Sequence, residues 1–430
     1  MRKTEYPAIG ETFYRDVLPG GLRLVVAVKP GYARRCAILA TDYGGADRRF
    51  RLGDAWIDTP MGVAHYLEHK MFEMPDGDAM FAMAASGAQP NAFTSAGMTA
   101  YYFDCTEQFE ENLRSLIGFV TTPYFPAESV EKERGIITQE ILETEDDPDY
   151  KIYIELLKSL YEHHPIRDAV VGTVESIQAI TPEVLQSCYD AFYHPGNMTL
   201  IVVGDVDPER VRAIAAERLS CAEREAPVRD YGPGEALVPS RSRYRCEMEV
   251  SAPQLLIGCA LPVQKSGEAL LRQKLVAELA MICLYRQTSP FFTRLYEEGL
   301  LNTDFFTVID EAAGTATLLA GGESRDPEQV FEAFVAEARR AEENGLDPAL
   351  FERTKRAFYG KSVRGLANFF ALSENLAEAE LRGYDFPALF PMLETVTAEE
   401  VRRFIAEALR SERFAMSVVE PVKNEVAADA

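Results

Sequence analysis

The chain carries the same residue pattern twice, and the two copies lie half a chain length apart. Residues 180–203 read ITPEVLQSCYDAFYHPGNMTLIVV and residues 396–419 read VTAEEVRRFIAEALRSERFAMSVV, a constant offset of 216 in a chain of 430 residues. Each copy has a Thr suited to cap a helix, then an amphipathic segment, a turn and an apolar strand. Because the offset is half of the chain, the pattern predicts a tandem duplication of an α+β domain.

The duplication also predicts domain boundaries. We expect a first domain over residues 1–222, a homologous second domain over 243–430, and a linker over 223–242, where Pro, Gly and charged residues are frequent. Each domain should be a mostly antiparallel sheet packed with helices. The apolar patterns predict strands at 22–29, 36–41, 99–104, 245–250 and 253–260. They predict helices near 61–73, 77–87, 107–120, 127–145, 150–162, 268–286, 327–344 and 347–365.

Charge and cysteine usage narrow the class of protein. With 44 Lys and Arg against 68 Asp and Glu, the net charge is −24, which argues against nucleic acid or anionic membrane as partners and fits a peptide-like ligand better. No apolar run approaches the roughly 20 residues of a membrane span, and the first residues do not resemble a signal peptide. The seven scattered cysteines lack a C-x-x-C pair and are typical of reduced thiols. We therefore expect a cytoplasmic protein.

The most informative short segment is His65-Tyr-Leu-Glu68-His69. On a helix, positions i, i+3 and i+4 share one face, so the two imidazoles and the carboxylate would converge. Two His at this spacing can occupy neighbouring corners of a tetrahedral zinc site. Glu68, between them, is better placed to hold a water molecule beside the metal than to ligate it. Since the chain has only five His, a chance occurrence of this spacing is improbable.

Two His leave the site incomplete, because catalytic zinc usually has three protein ligands. The acidic segment 128–145 is the strongest candidate for the third, with Glu133 and Glu140 two turns apart on one helix face. One of these carboxylates could ligate while the other orients a histidine. Spacing alone does not choose among Glu133, Glu140 and Glu143. Three isoleucines of the segment could anchor the helix to a core: Ile136, Ile137 and Ile141.

The H-x-x-E-H segment and its surroundings resemble the insulinase/pitrilysin family of inverzincin zinc peptidases. The resemblance is carried by GVAHYLEHKMFEMPDG, SGAQPNAFTSAGMTAYYF, EKERGIITQEILETEDDPD and FYHPGNMTLIVVGDVD, which follow one another in the family's order. It implies that His65, His69 and Glu140 are zinc ligands, that Glu68 is the general base, and that Glu133 is an orienting acid. It also implies that Asn91, Ala92 and Phe93 belong to an edge strand that receives the substrate.

The resemblance implies a zinc-dependent endopeptidase that cleaves short or unstructured peptides, with Zn²⁺ as its cofactor. Two departures from the family pattern bear on its activity. At the offset of 216, Met281, Leu284 and Tyr285 stand opposite His65, Glu68 and His69, so the second copy lacks the motif. Active members also carry an Arg and a Tyr that bind substrate from the opposing half of the molecule, and here Tyr296 stands at the Arg position.

The chain is about half as long as the single-chain enzymes that it resembles, so it is similar to one half of an insulinase-type clamshell. The resemblance therefore implies a dimer, either a heterodimer with a homologous subunit that carries the Arg/Tyr pair or a homodimer. Within the family, the chain is most similar to a bacterial, cytosolic, processing-protease-like subgroup associated with the 5-aminopentanol modification of elongation factor P. The alternative function is accordingly a non-proteolytic partner or scaffold in protein modification.

Overall fold

The computed structural model describes residues 1–219, 224–263 and 266–422. The predicted junction at residues 222 and 223, and Cys221, lie outside the described residues. The other six cysteines are free thiols, and all but Cys246 are buried. No helix among the described residues has the length and apolar character needed to cross a bilayer.

The five segments predicted as strands are strands within two residues of the predicted bounds, and further strands, both short and long, appear where none was predicted. In chain order they are β1 (Arg2–Tyr6), β2 (Glu11–Val17), β3 (Arg23–Val28), β4 (Arg35–Thr41), β5 (Arg49–Leu52), β6 (Ala55–Asp58), β7 (Glu73–Met74), β8 (Gly77–Asp78), β9 (Gln89–Thr94), β10 (Thr99–Cys105), β11 (Met198–Gly204), β12 (Val228–Arg229), β13 (Arg243–Met248), β14 (Gln254–Ala260), β15 (Phe306–Ala312), β16 (Thr315–Glu323) and β17 (Ala415–Pro421).

The helices lie within a few residues of the predicted ranges, and further helices appear where no prediction was made. In chain order they are α1 (Val63–Met71), α2 (Ala79–Ala85), α3 (Phe109–Val120), α4 (Ala127–Glu145), α5 (Pro148–Leu160), α6 (Val174–Ile177), α7 (Pro182–Phe192), α8 (Pro208–Ala216), α9 (Gly267–Tyr285), α10 (Pro290–Glu297), α11 (Pro327–Asn344), α12 (Pro348–Gly365), α13 (Phe369–Arg382), α14 (Leu389–Thr395) and α15 (Ala398–Ala408).

The two repeat copies fold alike. In each, a Thr side chain accepts a hydrogen bond from the first turn of a helix, and the helix leads into a buried central strand: α7 into β11 and α15 into β17. Thr397 and Glu400 form a reciprocal capping box. The strand order β3-β11-β4-β10-β9 of one sheet is repeated as β13-β17-β14-β16-β15 in the other. The predicted α+β class with two homologous, mostly antiparallel sheets is confirmed.

The chain divides into two compact units that are each discontinuous in sequence. The first comprises Met1–Ile141, Ala169–Tyr231 and Lys361–Pro387, and the remainder of the described chain forms the second. Thus α13 packs on β4 and β11 of the first unit, and α5 packs on β14 and β17 of the second. Each of these helices lies in one half of the sequence but packs on the sheet formed by the other half. Burial of an apolar helix face, rather than chain order, therefore decides to which unit a helix belongs. The predicted boundaries of the duplicated sequence stay a prediction.

Helix α1 of the first unit starts at a glycine for a steric reason. Its N-cap, Gly62, has a left-handed backbone with φ of 92°. A Cβ built at this position would lie 2.8 Å from the carbonyl oxygen of Val171, closer than real Cβ atoms approach. A second contact holds the same turn, because the Ser176 hydroxyl donates to the Met61 carbonyl at 2.8 Å. The start of α1 is therefore set by backbone packed against backbone.

Candidate active site

Helix α1 places the H-x-x-E-H residues on one face, as the spacing predicts. The rings of His65 and His69 lie edge to face, with their centroids 4.6 Å apart. His65 and Glu68 are both buried, with 7% and 8% of their surface exposed. Polar side chains are seldom buried to this degree without a partner, so the face needs hydrogen-bonding or ligating groups from other elements.

Helix α4 supplies the partner of both histidines. Glu140 Oε1 lies 3.3 Å from His65 Nε2, and Glu140 Oε2 lies 3.5 Å from His69 Nε2. Among the described residues, His65, His69 and Glu140 form the one group of three potential metal ligands whose donor atoms all lie within 4.8 Å of one another. The structure thus brings Glu140, rather than Glu143, to the two histidines.

The spacing of these donors fits a tetrahedral zinc ion. Bonds of about 2.1 Å at the tetrahedral angle would place two donor atoms about 3.4 Å apart. The two measured nitrogen–oxygen distances lie on either side of this value. Two imidazoles and one carboxylate also form one of the usual donor sets of catalytic zinc, which leaves a fourth position for water or substrate.

Glu133 occupies the outer side of the same cluster. Its Oε1 lies 3.1 Å from His69 Nδ1, which leaves Nε2 of that ring directed toward Glu140. Burial opposes protonation of His69, but the hydrogen bond to Glu133 and the carboxylates of Glu68 and Glu140 outweigh it and raise the pKa of the ring. Among the described residues, His65 Nδ1 is buried without a hydrogen-bond partner. A carboxylate therefore holds Nδ1 of His69, whereas within the described chain Nδ1 of His65 has no such partner.

The hydrogen bond between His65 and Glu140 is the main cause that holds the pKa of Glu140 below its ordinary value, and it outweighs the opposing effect of burial. The charge of His69 acts in the same direction. Glu140 is therefore ionised at neutral pH, which is the form that ligates a metal.

Three contacts besides those of Glu140 join α1 to α4. The Tyr66 hydroxyl donates to the backbone carbonyl of Val130, and the fully buried Lys70 ammonium donates to the Ser129 hydroxyl. The third contact is the hydrogen bond between His69 and Glu133. On α4 these contacts fall within the first two turns, at residues 129, 130 and 133, so they hold the start of α4 against α1. Sequence reasoning missed Tyr66 and Lys70, because only the fold shows which helix each one faces.

The carboxylate of Glu68 is held from the opposite side by strand β9. Thr94 Oγ1 donates a hydrogen bond to Glu68 Oε2 at 2.7 Å. Thr94 directly follows the three residues expected on the edge strand, but the sequence does not predict this contact. Glu68 is not part of the group of potential metal ligands. The carboxylate in that group is Glu140.

Strand β9 carries Asn91, Ala92 and Phe93 and forms one edge of its sheet, where it pairs only with β10 among the described strands. The backbone N–H of Ala92 donates to the side-chain Oδ1 of the preceding residue, Asn91, at 2.8 Å rather than to β10. A free edge and an outward N–H with only a local side-chain acceptor are what an added strand needs.

An open cavity of about 1010 Å³ lies between α1, β9 and the first turns of α4, and both Glu68 and His69 line it. The apolar side chains of Phe81 and Ile136 also line it, and they are 77% and 50% exposed. The expectation that Ile136 anchors α4 is therefore wrong. Only Ile137 and Ile141 are buried, because Ile136 is turned 100° away from Ile137 on the helix surface.

The second unit has no counterpart of the site at the repeated positions. Met281, Leu284 and Tyr285 are fully buried on α9, and the Tyr285 ring stacks on Phe334 with centroids 3.6 Å apart. Tyr296, on α10, is 51% exposed and stacks on Phe292. In this copy the positions of the histidines contribute to the hydrophobic core.

The fold and the site together define a metallopeptidase-type protein, with an H-x-x-E-H helix beside a glutamate-bearing helix in the first of two homologous domains. Family models match both parts of the chain: the insulinase model (peptidase family M16) over residues 57–174 and the M16 inactive-domain model over residues 179–358. The chain belongs to the insulinase family, peptidase family M16.

Relatives of full length support this assignment. The chain is 33% identical over 428 residues to the "uncharacterized zinc protease YmfH" of Bacillus subtilis (strain 168), with 98% of this chain and 99% of YmfH covered. It is also 33% identical to an M16-like peptidase from Alicyclobacillus acidocaldarius, whose crystal structure superposes with a TM-score of 0.92 and covers 97% of this chain and 99% of that one.

The structure of pitrilysin shows the fold relationship to a larger molecule. It superposes on 96% of this chain with a TM-score of 0.73 at 14% identity, and the match covers 45% of the pitrilysin chain. The predicted fold of an insulinase-type half-clamshell is therefore confirmed.

Proposed function

We propose that this chain is a zinc-dependent endopeptidase subunit that cleaves short or unstructured peptides and reaches full activity with a partner subunit. The observation that carries the proposal is the convergence of His65, His69 and Glu140 beside a buried Glu68 that does not join them. His65, His69 and Glu140 would hold the metal, and Glu133 would orient His69. The zinc protease description of the full-length relative YmfH supports the choice of metal.

The chemistry divides between the metal and the side chains of the chain. When bound, zinc would supply Lewis acidity that polarises a peptide carbonyl and lowers the pKa of water. Glu68 would take a proton from the attacking water through the oxygen that Thr94 does not occupy, and would then deliver it to the departing amine. This sequence requires no covalent intermediate with the protein.

Strand β9 would hold the substrate in an extended conformation. A peptide carbonyl could replace Asn91 Oδ1 as the acceptor for the Ala92 N–H, and further main-chain hydrogen bonds would follow along the edge. Main-chain pairing is largely independent of side chains, which suits short or unstructured substrates. Folded proteins would be excluded, because their backbone groups are already paired.

The partner is proposed because part of the expected substrate-binding set is missing. Tyr296 stands where an Arg is expected, and the chain covers less than half of the length of pitrilysin. A homologous subunit carrying the Arg/Tyr pair would complete the site as a heterodimer, and a homodimer is the other arrangement. The free buried thiols of the described chain support a reducing, cytoplasmic location.

Peptide hydrolysis tests this function. Wild type and Glu68→Gln, both loaded with zinc, are incubated with a mixture of unstructured peptides, alone and with a homologue that carries the Arg/Tyr pair. We expect weak cleavage by the chain alone, strong cleavage by the complex, and a loss of about 10²–10⁴-fold in rate for Glu68→Gln with its zinc retained. Equal cleavage by the wild-type and Glu68→Gln complexes would remove the peptidase proposal.

The second candidate function is a non-proteolytic partner or scaffold in protein modification, such as the elongation factor P pathway. It is favoured by the absence of an Arg at the position of Tyr296. If neither the chain nor its complex cleaves any peptide while zinc is bound, this function is supported instead.

A further inference from the structure

Strand β9 has two faces, and only one of them faces the catalytic residues. Residues directly opposite one another in a ladder point to the same side of a sheet. Thr94 and Ala92 pair with Thr99 and Tyr101, and Thr94 contacts Glu68, so these residues define the catalytic face. Asn91 pairs with Tyr102 and lies on the other face. A peptide added to β9 would direct alternate side chains to each face in turn.

A cleft of about 760 Å³ lies on that other face, at the start of β9. Gln89 and Asn91 line it from β9, and Tyr102 lines it from β10. Arg364 at the end of α12 and Phe370 in the first turn of α13 close its far side. All of these residues belong to the first compact unit. The cleft is distinct from the cavity that contains Glu68 and His69, although Asn91 lines both.

The aromatic side chains of the cleft form an apolar floor. The rings of Tyr102 and Phe370 lie with their centroids 4.5 Å apart, and Phe93 approaches Phe370 at 6.5 Å. Aromatic rings of this kind can pack against the carbon atoms of a peptide side chain.

The charges of the cleft leave one cation available. Two arginines line it, but Arg34 makes a two-fold hydrogen bond to Asp104, with both distances 2.8 Å, and the two charges compensate each other. Arg364 is exposed, and within the described residues its side chain makes no hydrogen bond or ion pair. Because the chain has a net charge of −24, the cation of Arg364 beside the strand proposed to hold the substrate distinguishes this cleft from the overall acidic character of the chain.

We propose that this cleft is a second subsite for the peptide on β9 and that it takes a carboxylate through Arg364. The proposal rests on the proposed function, since it requires an extended peptide on β9. The carboxylate is either an acidic side chain or the C-terminus of the peptide. If the added strand runs antiparallel to β9, its C-terminal part passes Gln89, so the carboxylate lies on the C-terminal side of the cleaved bond.

One nearby carboxylate opposes this interaction. Glu374 lies one turn beyond Phe370 on α13 but does not line the cleft. Its negative charge would weaken the attraction for an acidic ligand without occupying the site. Removal of this charge by Glu374→Gln should therefore strengthen the preference that removal of Arg364 abolishes.

Binding of uncleaved peptides tests the subsite. Zinc-loaded Glu68→Gln protein, with and without its Arg/Tyr homologue, is titrated with a fluorescent peptide in which one residue is Glu, Gln or Lys at each position in turn. The C-terminus is free in one set and amidated in the other. At one position, or at the free C-terminus, we expect the carboxylate to bind about three- to tenfold more tightly than Lys or the amide.

The arginine variants identify the source of any preference. Arg364→Gln should remove it, Arg364→Glu should reverse it, and Arg356→Gln should leave it unchanged. Arg356 is a matched control because it is an exposed arginine of the same helix that does not line the cleft. A flat scan, a preference that survives Arg364→Gln, or no measurable peptide binding overturns the proposal.

The outcomes separate this proposal from the proposed function. If the wild-type complex cleaves peptides but Arg364→Gln changes no preference, only the subsite is wrong. If the preference depends on Arg364 but no peptide is cleaved, the peptidase proposal fails and the cleft remains a site for carboxylate-bearing peptides.

Discussion

Thr94 Oγ1 lies 2.7 Å from Glu68 Oε2, and this hydrogen bond connects the edge strand β9 to the H-x-x-E-H helix. The donor is a hydroxyl and the acceptor is a buried carboxylate, so the contact both satisfies and orients the charge. It also makes the position of Glu68 depend on β9. In the proposed mechanism, strand binding and proton transfer would therefore be coupled through one side chain.

The first prediction concerns this contact. Thr94→Val should lower kcat of the complex with the Arg/Tyr homologue about 10–100-fold, because a hydrogen bond to a charged group is lost. KM should change much less, since the edge strand keeps its backbone. Thr94→Ser retains a hydroxyl and should recover most of the activity. A rise in KM with unchanged kcat would instead show that Thr94 serves the strand and not Glu68.

The second prediction separates the glutamates of α4. Glu140→Gln and His69→Ala should each abolish stoichiometric zinc, because the first removes the anionic ligand and the second removes an imidazole from the cluster. Glu133→Gln should weaken zinc by about 10–100-fold, as expected for a group that orients a ligand. Glu143→Gln is the matched control and should bind zinc like the wild type. The measurement is metal analysis followed by competition with a chelator, and unchanged zinc in Glu140→Gln would contradict the ligand assignment.

The third prediction concerns pH. The pKa of His69 is raised above the ordinary 6.5, so in the metal-free protein its proton contributes stability that is fully present below pH 6.5 and is lost as pH rises through the higher folded value. Zinc must displace this proton, so zinc affinity should increase with pH and continue to increase above pH 6.5.

Glu133→Gln checks the cause of this pH dependence. Without the Glu133 carboxylate the pKa of His69 falls, so the increase in zinc affinity should be complete at a lower pH than in the wild type. The readout is the zinc dissociation constant measured over a series of pH values. Identical pH profiles for the two proteins would show that Glu133 does not set the pKa of His69.

The fourth prediction concerns the start of α1. Gly62→Ala should lower the free energy of unfolding by about 2–4 kcal/mol. The Ala residue would have to adopt a left-handed backbone, and its Cβ would clash with the Val171 carbonyl. Gly10 is the matched control, because its φ is also positive, at 69°, but a Cβ there would meet nothing within 4 Å. Gly10→Ala should therefore cost only about 1–2 kcal/mol in urea unfolding. Equal losses for the two variants would mean that the Val171 contact relaxes freely.

Much of the fold could be predicted because its signals are local. The apolar runs of β4 and β11 and the capping Thr residues of α7 and α15 depend on neighbours in the chain. The short strand β9 has a mixed burial pattern and no clear period, so only the family resemblance indicated an edge strand there. Which helix packs on which sheet was not predictable, because α5 and α13 each combine with strands far away in sequence.

The sequence by itself determined the spacing of His65, Glu68 and His69, because the period of a helix is a local property that converts i, i+3 and i+4 into one face. It also determined that Glu133 and Glu140 share a face, but it left three glutamates as candidates for the third ligand. Only the tertiary structure shows which of them lies against both histidines, because the packing of α1 on α4 brings Glu140 to Nε2 of each ring. The same holds for the contact between Thr94 and Glu68. Such distances depend on how separate elements pack, and packing is decided by the burial of all their faces together rather than by any one segment.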